Sequence, residues 1–363
     1  MKELRYIKCD YSYADYSTSV SPAIERALAD GDAPNTVVLN IFSSDSITSG
    51  VLDDAEKAID LDFCREHNIV VRRRQNTGGA IFGPKRSAFL CLYLIPQSLS
   101  LPLTNISDAF RITLEGLAEA INQKWGIDAV YRPLNDLQVQ GRKLVPSSAR
   151  LEKGILTMRL MVNVVKTNRT TLDLAIRTIA EKIQDKEIKR LGQRFTCLES
   201  EIGHRPKQSE LEDMALLAIR KIFADDVKLV GAPLTAKELK YSREYERKFN
   251  SEEFLYGNSE RVRFKNAPPQ AIKSEGRHKA VAGLVRVTLL KLNGKIFDLI
   301  ITGDFHPSPY GVVGDIEDAL RGKECDLEVV RSELEKIYAR DDVEMAGIDI
   351  DDFMMSFEKA LAP

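Results

Sequence analysis

Two segments of the 363-residue chain concentrate side chains that could handle an anionic ligand. The first runs Arg72-Arg73-Arg74-Gln75-Asn76-Thr77-Gly78-Gly79-Ala80-Ile81-Phe82-Gly83. Its glycines let a backbone approach a ligand closely and turn amides toward it. Its arginines offer fixed charge in a forked geometry that suits phosphate or carboxylate. A glycine turn with a solvated basic flank accounts for the same letters, because short glycine motifs match by chance often. No Gly-Lys-Ser/Thr follows the glycines, so this is not a Walker A loop, and the G-x-G-x-x-G spacing of dinucleotide-binding turns is absent.

The second segment is Asn135–Arg150. Gln140-Gly141 marks a turn between two alternating stretches, a strand–turn–strand pattern. Asn135 and Asp136 precede Lys143 on the returning strand, and Pro146-Ser147-Ser148-Ala149 leads to Arg150. A strand-held lysine beside a carboxylate can place charge on an oxygen that becomes more negative during a reaction. A surface hairpin with a basic tip is the alternative reading.

The elements that must position these segments follow from periodicity. Ser21-Pro22 reads as the capped start of a short helix that stops at Gly31. Thr36–Phe42 and Ala88–Leu94 are apolar enough for buried strands, and Ile69-Val70-Val71 is a strand entering the first segment. Asp53–His67 has the spacing of one amphipathic helix. Ser107–Trp125 places Phe110, Leu114, Leu117 and Ile121 on one helix face, and Ser209–Glu212 opens a helix through Phe223 with a capping box. Helices alternating with strands to about residue 230 predict an α/β fold. Beyond a charged, tyrosine-rich connector near 235–260, Asn293-Gly294 predicts a tight hairpin. Helices near 315–321, 326–338 and 350–361 complete a small α+β unit.

Composition narrows the class. The length favours two domains. Hydrophobic residues at 44% and charged residues at 29% are those of a soluble globular protein. A formal net charge of -2 gives no basic excess for nucleic acid or an anionic membrane. Cys9, Cys64, Cys91, Cys197 and Cys325 are scattered without a C-x-x-C pair, which predicts reduced thiols and a cytoplasmic setting. The first residues lack the apolar core of a signal peptide, and no apolar run approaches the roughly 20 residues of a membrane span.

Together, in this order, the two segments resemble the lipoate–protein ligases of the biotin/lipoate ligase superfamily. That family's pattern is roughly R-R-x-S/T-G-G-G-A-V-F-H followed by N-D…G-R-K-V/I-S-G-S-A-x-R. Here the segments read RRQNTGGAIFG and NDLQVQGRKLVPSSAR. Weaker likenesses lie in Ser46–Arg74, Arg194-Phe195-Thr196-Cys197-Leu198, Phe254-Leu255-Tyr256-Gly257 and Gly303-Asp304-Phe305. The resemblance implies a mixed-sheet catalytic domain over 1–240, a connector over 241–260 and a small α+β accessory domain over 261–363. It implies ATP-dependent activation of lipoate to lipoyl-AMP, with Mg²⁺, and transfer to a lysine of a lipoyl-carrier protein. The carrier would be an E2 lipoyl domain or a glycine-cleavage H-like protein; neither nucleic acid nor membrane is implied. An ATP-independent lipoyl or octanoyl transferase and a non-catalytic lipoyl-binding homologue are the alternatives.

Residue by residue, the resemblance implies Lys143 as the catalytic lysine. Arg74, Asn76, Thr77, Gly78 and Gly79 would form the ligand loop. Asn135, Asp136, Ser147 and Arg150 would complete the substrate and nucleotide site, with Asp136 orienting Mg²⁺ or Lys143. The chain departs from the pattern at Asn76-Thr77, at Gly83 where the family has histidine, and at Val145-Pro146 where it has Ser-Gly. A β-branched Thr77 is ill suited to positive φ, and Pro146 lacks an amide donor. Cys91, in an apolar strand, reads as core, and Cys197 as a secondary thioester candidate. His67, His204, His278 and His306 have no metal-ligand spacing and read as surface or structural, and Trp125 as packed. The acidic stretches near 315–318 and 341–352 read as solvated faces that could meet a charged carrier.

Overall fold

Strand-forming runs of Val, Ile and Leu set the centre of the molecule, and β6 (Ala88–Leu94) is buried at every position. The computed structural model describes residues 2–99, 101–102, 105–133, 135–152, 154–167, 169–177, 195–224, 227–281, 283–309, 311–345 and 347–362. Before β6 in the chain come β1 (Lys2–Cys9), β2 (Thr36–Ile41), β3 (Ser46–Ser49), β4 (Val70–Arg73) and β5 (Ile81–Gly83). After it come β7 (Ala129–Arg132), β8 (Asp136–Val139), β9 (Arg142–Glu152), β10 (Ile155–Val162) and β11 (Val227–Gly231). Then come β12 (Ile272–Ala280), β13 (Gly283–Leu292) and β14 (Lys295–Gly303), followed by the short antiparallel pair β15 (Pro307–Ser308) and β16 (Glu344–Met345).

Eight strands form one sheet in the order β11-β1-β2-β6-β10-β9-β8-β7. It is mixed: β1 runs parallel to β11 and β2, and the other neighbours are antiparallel. One face is covered by the helices Ile106–Trp125 and Gln208–Phe223, whose Leu114, Leu117, Ile121, Met214 and Phe223 pack on Leu39, Leu90 and Leu92. The other face carries the helix Ser21–Ala29 and an aromatic cluster of Tyr13, Tyr16, Phe42, Phe89 and Tyr93. Across from this second face stands a three-stranded sheet, β4-β3-β5.

The chain after 260 builds the antiparallel sheet β12-β13-β14. Its cover is the helices Val312–Leu320, Leu327–Tyr338 and Ile350–Leu361. The hairpin turns where expected, with Asn293 at φ 51° and Gly294 at φ 77°, the paired positive values of a two-residue turn. Its core reaches back to enclose Val51 and Leu52 of the first part. Among the described residues no helix is long and apolar enough to cross a membrane.

Three local expectations change. Asp53–His67 is two short helices, Ala55–Ala58 and Leu61–Glu66, because Asp54 and Asp60 each cap a new start. Between them Ile59 is extended and bridges to Ile176. Ser21 does not cap its helix: a π-helical turn, Tyr16–Val20, runs straight into it and leaves the Ser21 hydroxyl for other partners. The helix expected from Ser209 starts at Gln208, and the Glu210 carboxylate accepts the Lys207 N–H at 2.8 Å.

The helix Ala236–Phe249 straddles residue 240 and is pinned to β1. Glu238 is fully buried and accepts from both terminal nitrogens of buried Arg5, one at 2.9 Å, while Arg5 Nε donates to Thr36 Oγ1 at 2.9 Å. Removing one partner of such a pair strands the other charge without solvent. Glu238→Ala is expected to cost about 3–5 kcal/mol and to lower the urea midpoint followed by circular dichroism. Arg5→Leu with Glu238→Leu should recover much of it.

Candidate functional site

The turn at Gln140 (φ 50°) and Gly141 (φ 74°) sends β9 back antiparallel to β8. Gln138 faces Lys143 across the ladder, and a register shift beside Leu137 brings the Asp136 and Lys143 side chains together. Lys143 Nζ lies 2.7 Å from Asp136 Oδ1 and 6.0 Å from the centre of the Phe195 ring. The Lys143 carbonyl accepts the Thr196 N–H at 2.9 Å, tying the strand to the Phe195–Cys197 stretch. Just upstream, Asn135 Nδ2 donates to the Ser147 carbonyl at 2.9 Å and Ser147 Oγ to the Asn135 carbonyl at 2.7 Å. Pro146 stands where β9 leaves the β8 register and enters that of β10, which begins at Ser147.

The glycine segment links β4 to β5. Arg74 is buried and donates to the Thr48 carbonyl (3.2 Å), Thr48 Oγ1 (3.1 Å) and the Thr77 carbonyl (2.7 Å). Burial and the neighbouring Arg159 charge lower its pKa, against the opposing pull of Tyr13 and Asp53. Positive φ falls on Gly78 (88°), not on Thr77. A Cβ on Gly50 would stand 1.8 Å from the Gly78 carbonyl oxygen, so the crossing needs glycine at 50, while Gly78 is suited to its place by its positive φ. Gly83 is explained similarly: a Cβ there would lie 2.3 Å from Tyr13 Cβ. Tyr13 fills the space, and its hydroxyl meets Thr48 Oγ1 at 3.0 Å.

Both segments line one cavity of about 900 Å³, at the upper end of the roughly 300–1,000 Å³ usual for ligand clefts. Arg74, Arg142, Lys143, Arg159, Lys166, Arg177 and Arg286 lend it cations against the carboxylates of Asp53 and Asp304. Asn76, Thr77, Gly78, Gly79, Asn135 and Ser147 are in its wall. Asp136 stands behind Lys143 and is not part of the lining, nor is Arg150, which ion-pairs with Glu25 on the helix Ser21–Ala29. Arg194 of the weaker likeness lies outside the described residues. Among the described residues no group of three or more His, Cys, Asp or Glu side chains could hold a metal.

The small C-terminal sheet closes one side of the cavity. Leu284, Arg286, Gly303, Asp304 and His306 are in the wall. Arg73 donates to the Val51 carbonyl and, at 2.9 Å, to the Phe254 carbonyl, with its guanidinium 5.1 Å from the Phe254 ring centre. Gly303 N donates to the Leu52 carbonyl at 3.0 Å. His306 is exposed, as the surface or structural reading expected, and its Nδ1 lies 2.7 Å from Thr77 Oγ1, which ties it to the glycine loop. It directly follows the Gly303-Asp304-Phe305 stretch, and an isolated histidine gives no periodic signal of such a contact. Cys197 also lines the cavity, with Sγ 3.2 Å from Ser200 Oγ. Cys91 is core as expected, its thiol pushed up to about 12 by burial. Trp125 packs against the main core. In the acidic stretches, Asp315 and Asp342 pair with Arg340, Asp318 with Arg321, and Asp351 with Arg331.

Residues 17–220 match the family model of the lipoyl protein ligase A/B catalytic domain. The chain belongs to that family. It is similar to lipoate–protein ligase 2 of Staphylococcus aureus, 21% identical over 306 residues, which is 83% of this chain and 84% of that protein. In fold it is similar to P. falciparum LipL1, solved in complex with lipoate, with TM-score 0.65 and 14% identity over 97% of this chain and 98% of that one. It is also similar to a lipoate–protein ligase A bound with ATP, with TM-score 0.58 and 18% identity over 71% of this chain and 99% of that one.

Two outcomes test the site's construction. Gly83→Ala should destabilise the fold by about 1–3 kcal/mol through overpacking, and Tyr13→Ala in the same chain should relieve much of that cost, as a double-mutant cycle of denaturation midpoints would show. Partial burial and the Arg74 guanidinium depress the His306 pKa, while Asp304 opposes them. A depressed folded pKa means the contribution is complete above the ordinary histidine value of about 6.5 and is lost as pH falls through the folded value. The thermal midpoint should therefore fall more steeply between about pH 7 and about pH 5 for the parent chain than for His306→Phe. Equal slopes would mean that the His306–Thr77 contact does not contribute to stability.

Proposed function

We infer that this protein is a lipoate–protein ligase that activates lipoate with ATP and transfers the lipoyl group to a carrier lysine. The observation carrying this reading is the Lys143–Asp136 pair (2.7 Å) beside a cation-rich cavity that the glycine loop closes, in a chain whose residues 17–220 match the family's catalytic domain. The lipoate and ATP of the two solved relatives are carried over to this chain as part of the proposal.

In the first step, a lipoate carboxylate oxygen bonds to the α-phosphorus of ATP and the bond to pyrophosphate breaks. In the second, the neutral amine of a carrier lysine bonds to the acyl carbon, AMP leaves, and the amine's proton passes to solvent or to a phosphate oxygen. Both steps build negative charge on oxygens near one point, first on the phosphate and then on the carbonyl. A single ammonium can serve both, and we assign that role to Lys143. Asp136 would hold Lys143 in place between ligands. Of the two roles considered for it, lysine partner suits its geometry better than metal holder, since one of its oxygens faces Nζ. Magnesium would then arrive with the triphosphate, held by phosphate oxygens and the waters it retains. Arg74, Asn76, Thr77, Gly78 and Gly79 would wrap the acyl-adenylate, with Asn135 and Ser147 bracing its nucleotide side. Arg150 would act at a distance, by anchoring β9 to Glu25.

The division into a catalytic part (1–240), a connector (241–260) and an accessory part (261–363) stands in this reading, supported by a main core before 230 and a second core built after 260 apart from Val51 and Leu52. The carrier would be an E2 lipoyl domain or an H-like protein. Five free thiols suit a cytoplasmic setting. The test is lipoate-dependent ATP–pyrophosphate exchange. Lys143→Ala is expected to reduce it about 10²–10³-fold, with Asp136→Asn less severe. Exchange that is absent from the parent chain, or undiminished in Lys143→Ala, would overturn the reading.

A further inference from the structure

Strand β10 places one cation among apolar neighbours: Met158, Leu160 and Met161 surround Arg159 in sequence, and Arg159 points into the ligand cavity. Followed along β10, the cavity wall includes Asn163, Met161 and Arg159 and then ends. Thr157, and Cys91 and Tyr93 across the ladder on β6, lie outside the wall. Arg159 therefore marks a closed end. Ser148, its register partner on β9, is in the wall beside it. Ser17, one helical turn before Ser21, also lines the cavity.

Arg159 is held from behind. Its Nε donates to Ser21 Oγ at 3.0 Å. That hydroxyl also accepts from Tyr93 OH at 2.7 Å, and Tyr93 OH meets Tyr16 OH at 3.0 Å. Among the described residues, Ser21 is the one hydrogen-bond partner of this guanidinium and no carboxylate pairs with it. Its charge is felt by another cation of the wall, Arg74, whose pKa it helps to lower. A guanidinium facing a ligand chamber without an acid must take acceptors from water or from the ligand. When a ligand displaces the water, a group with lone pairs repays part of the lost hydration and a methyl group repays none.

Resting on the ligase reading, with the acid's carboxylate at Lys143, the acyl chain runs toward this closed end. We propose that Arg159 is the specificity-determining residue that favours lipoate over octanoate. The dithiolane sulfurs are polarisable and carry lone pairs, whereas octanoate brings a methyl terminus to the same place. The Ser21–Tyr93 hydrogen bonds fix the guanidinium so that it cannot swing away from a methyl group to recover water.

The experiment measures binding of lipoate and of octanoate to the full chain by calorimetry, alongside ATP–pyrophosphate exchange with each acid. The parent should bind lipoate roughly tenfold more tightly. Arg159→Leu should bring the ratio close to one, chiefly by tightening octanoate. Arg159→Gln, which keeps a donor toward Ser21, should lie between and serves if the leucine variant fails to fold. A ratio unchanged by both substitutions, or no preference in the parent, overturns the proposal. So does equal weakening of both acids, which would put the carboxylate at Arg159. A preference lost on substitution without exchange of either acid overturns the ATP-dependent reading and leaves Arg159's role intact. Exchange without preference does the reverse.

Discussion

The Arg74 guanidinium has left water and is stabilised by two backbone carbonyls and a hydroxyl, those of Thr48 and Thr77. A charge buried this way is tolerated only while its acceptors stay in place. Thr77 must keep its carbonyl turned inward, which fixes the loop between β4 and β5. The rest of the loop is held by the same neighbourhood: Arg74 N donates to the Ser49 carbonyl and Val51 N to the Asn76 carbonyl, both at 2.9 Å. With its backbone held on β3, the loop's tightest crossing is at Gly50 and Gly78. Its outward-turned Thr77 hydroxyl is what the second part of the chain grips. An unusual threonine in a glycine loop is thereby accommodated, since the left-handed residue is the glycine that follows.

The second part of the chain is consequently wired to the cavity. Its sheet supplies cavity wall, and its contacts fall on the segments that shape the ligand loop. Leu52 meets Gly303 and Thr77 meets His306, while Arg73 reaches Phe254 of the connector that leads into it. Any reorientation of this part during turnover must release these contacts together. Hydrogen bonds of this kind contribute about 0.5–1.5 kcal/mol each, so the group is strong enough to define a closed arrangement and weak enough for a bound polyanion to compete with it. Conformational steps of this order commonly accompany catalysis.

Much of this was legible in the letters where local physics decides. Gln140-Gly141 and Asn293-Gly294 turned where paired positive φ was required. The three C-terminal helices and the β6 core strand followed their periodicity, and Lys143 sits opposite its turn beside Asp136 as the strand–turn–strand reading needs. The failures share a cause, which is long-range contact. Ile59 leaves a helical pattern because Ile176 pairs with it. His306 has its partner far back in the chain, at Thr77. Gly83 could be understood only with Tyr13 against it. Strand β12 is rich in charge and offered no apolar alternation to read. Arg159 sat inside an apolar run, where a lone cation looks like strand edge until the cavity is seen.

Two ion pairs in this molecule show how solvent access divides structure from chemistry. Arg5 and Glu238 are 5% and 0% exposed, and neither can exchange its partner for water without unfolding the junction of β1 with the helix Ala236–Phe249. Lys143 and Asp136 are 29% and 19% exposed. Pairs that water can reach are worth about 0–1 kcal/mol, so Lys143 can leave Asp136 for a ligand oxygen at little cost. The partner is still useful, because it keeps the ammonium at the cavity edge when no anion is present. A fully buried lysine would bind its carboxylate too firmly to move, and a fully exposed one would lose its position to side-chain entropy. The β8–β9 register places Lys143 between these limits, as the role proposed for it requires.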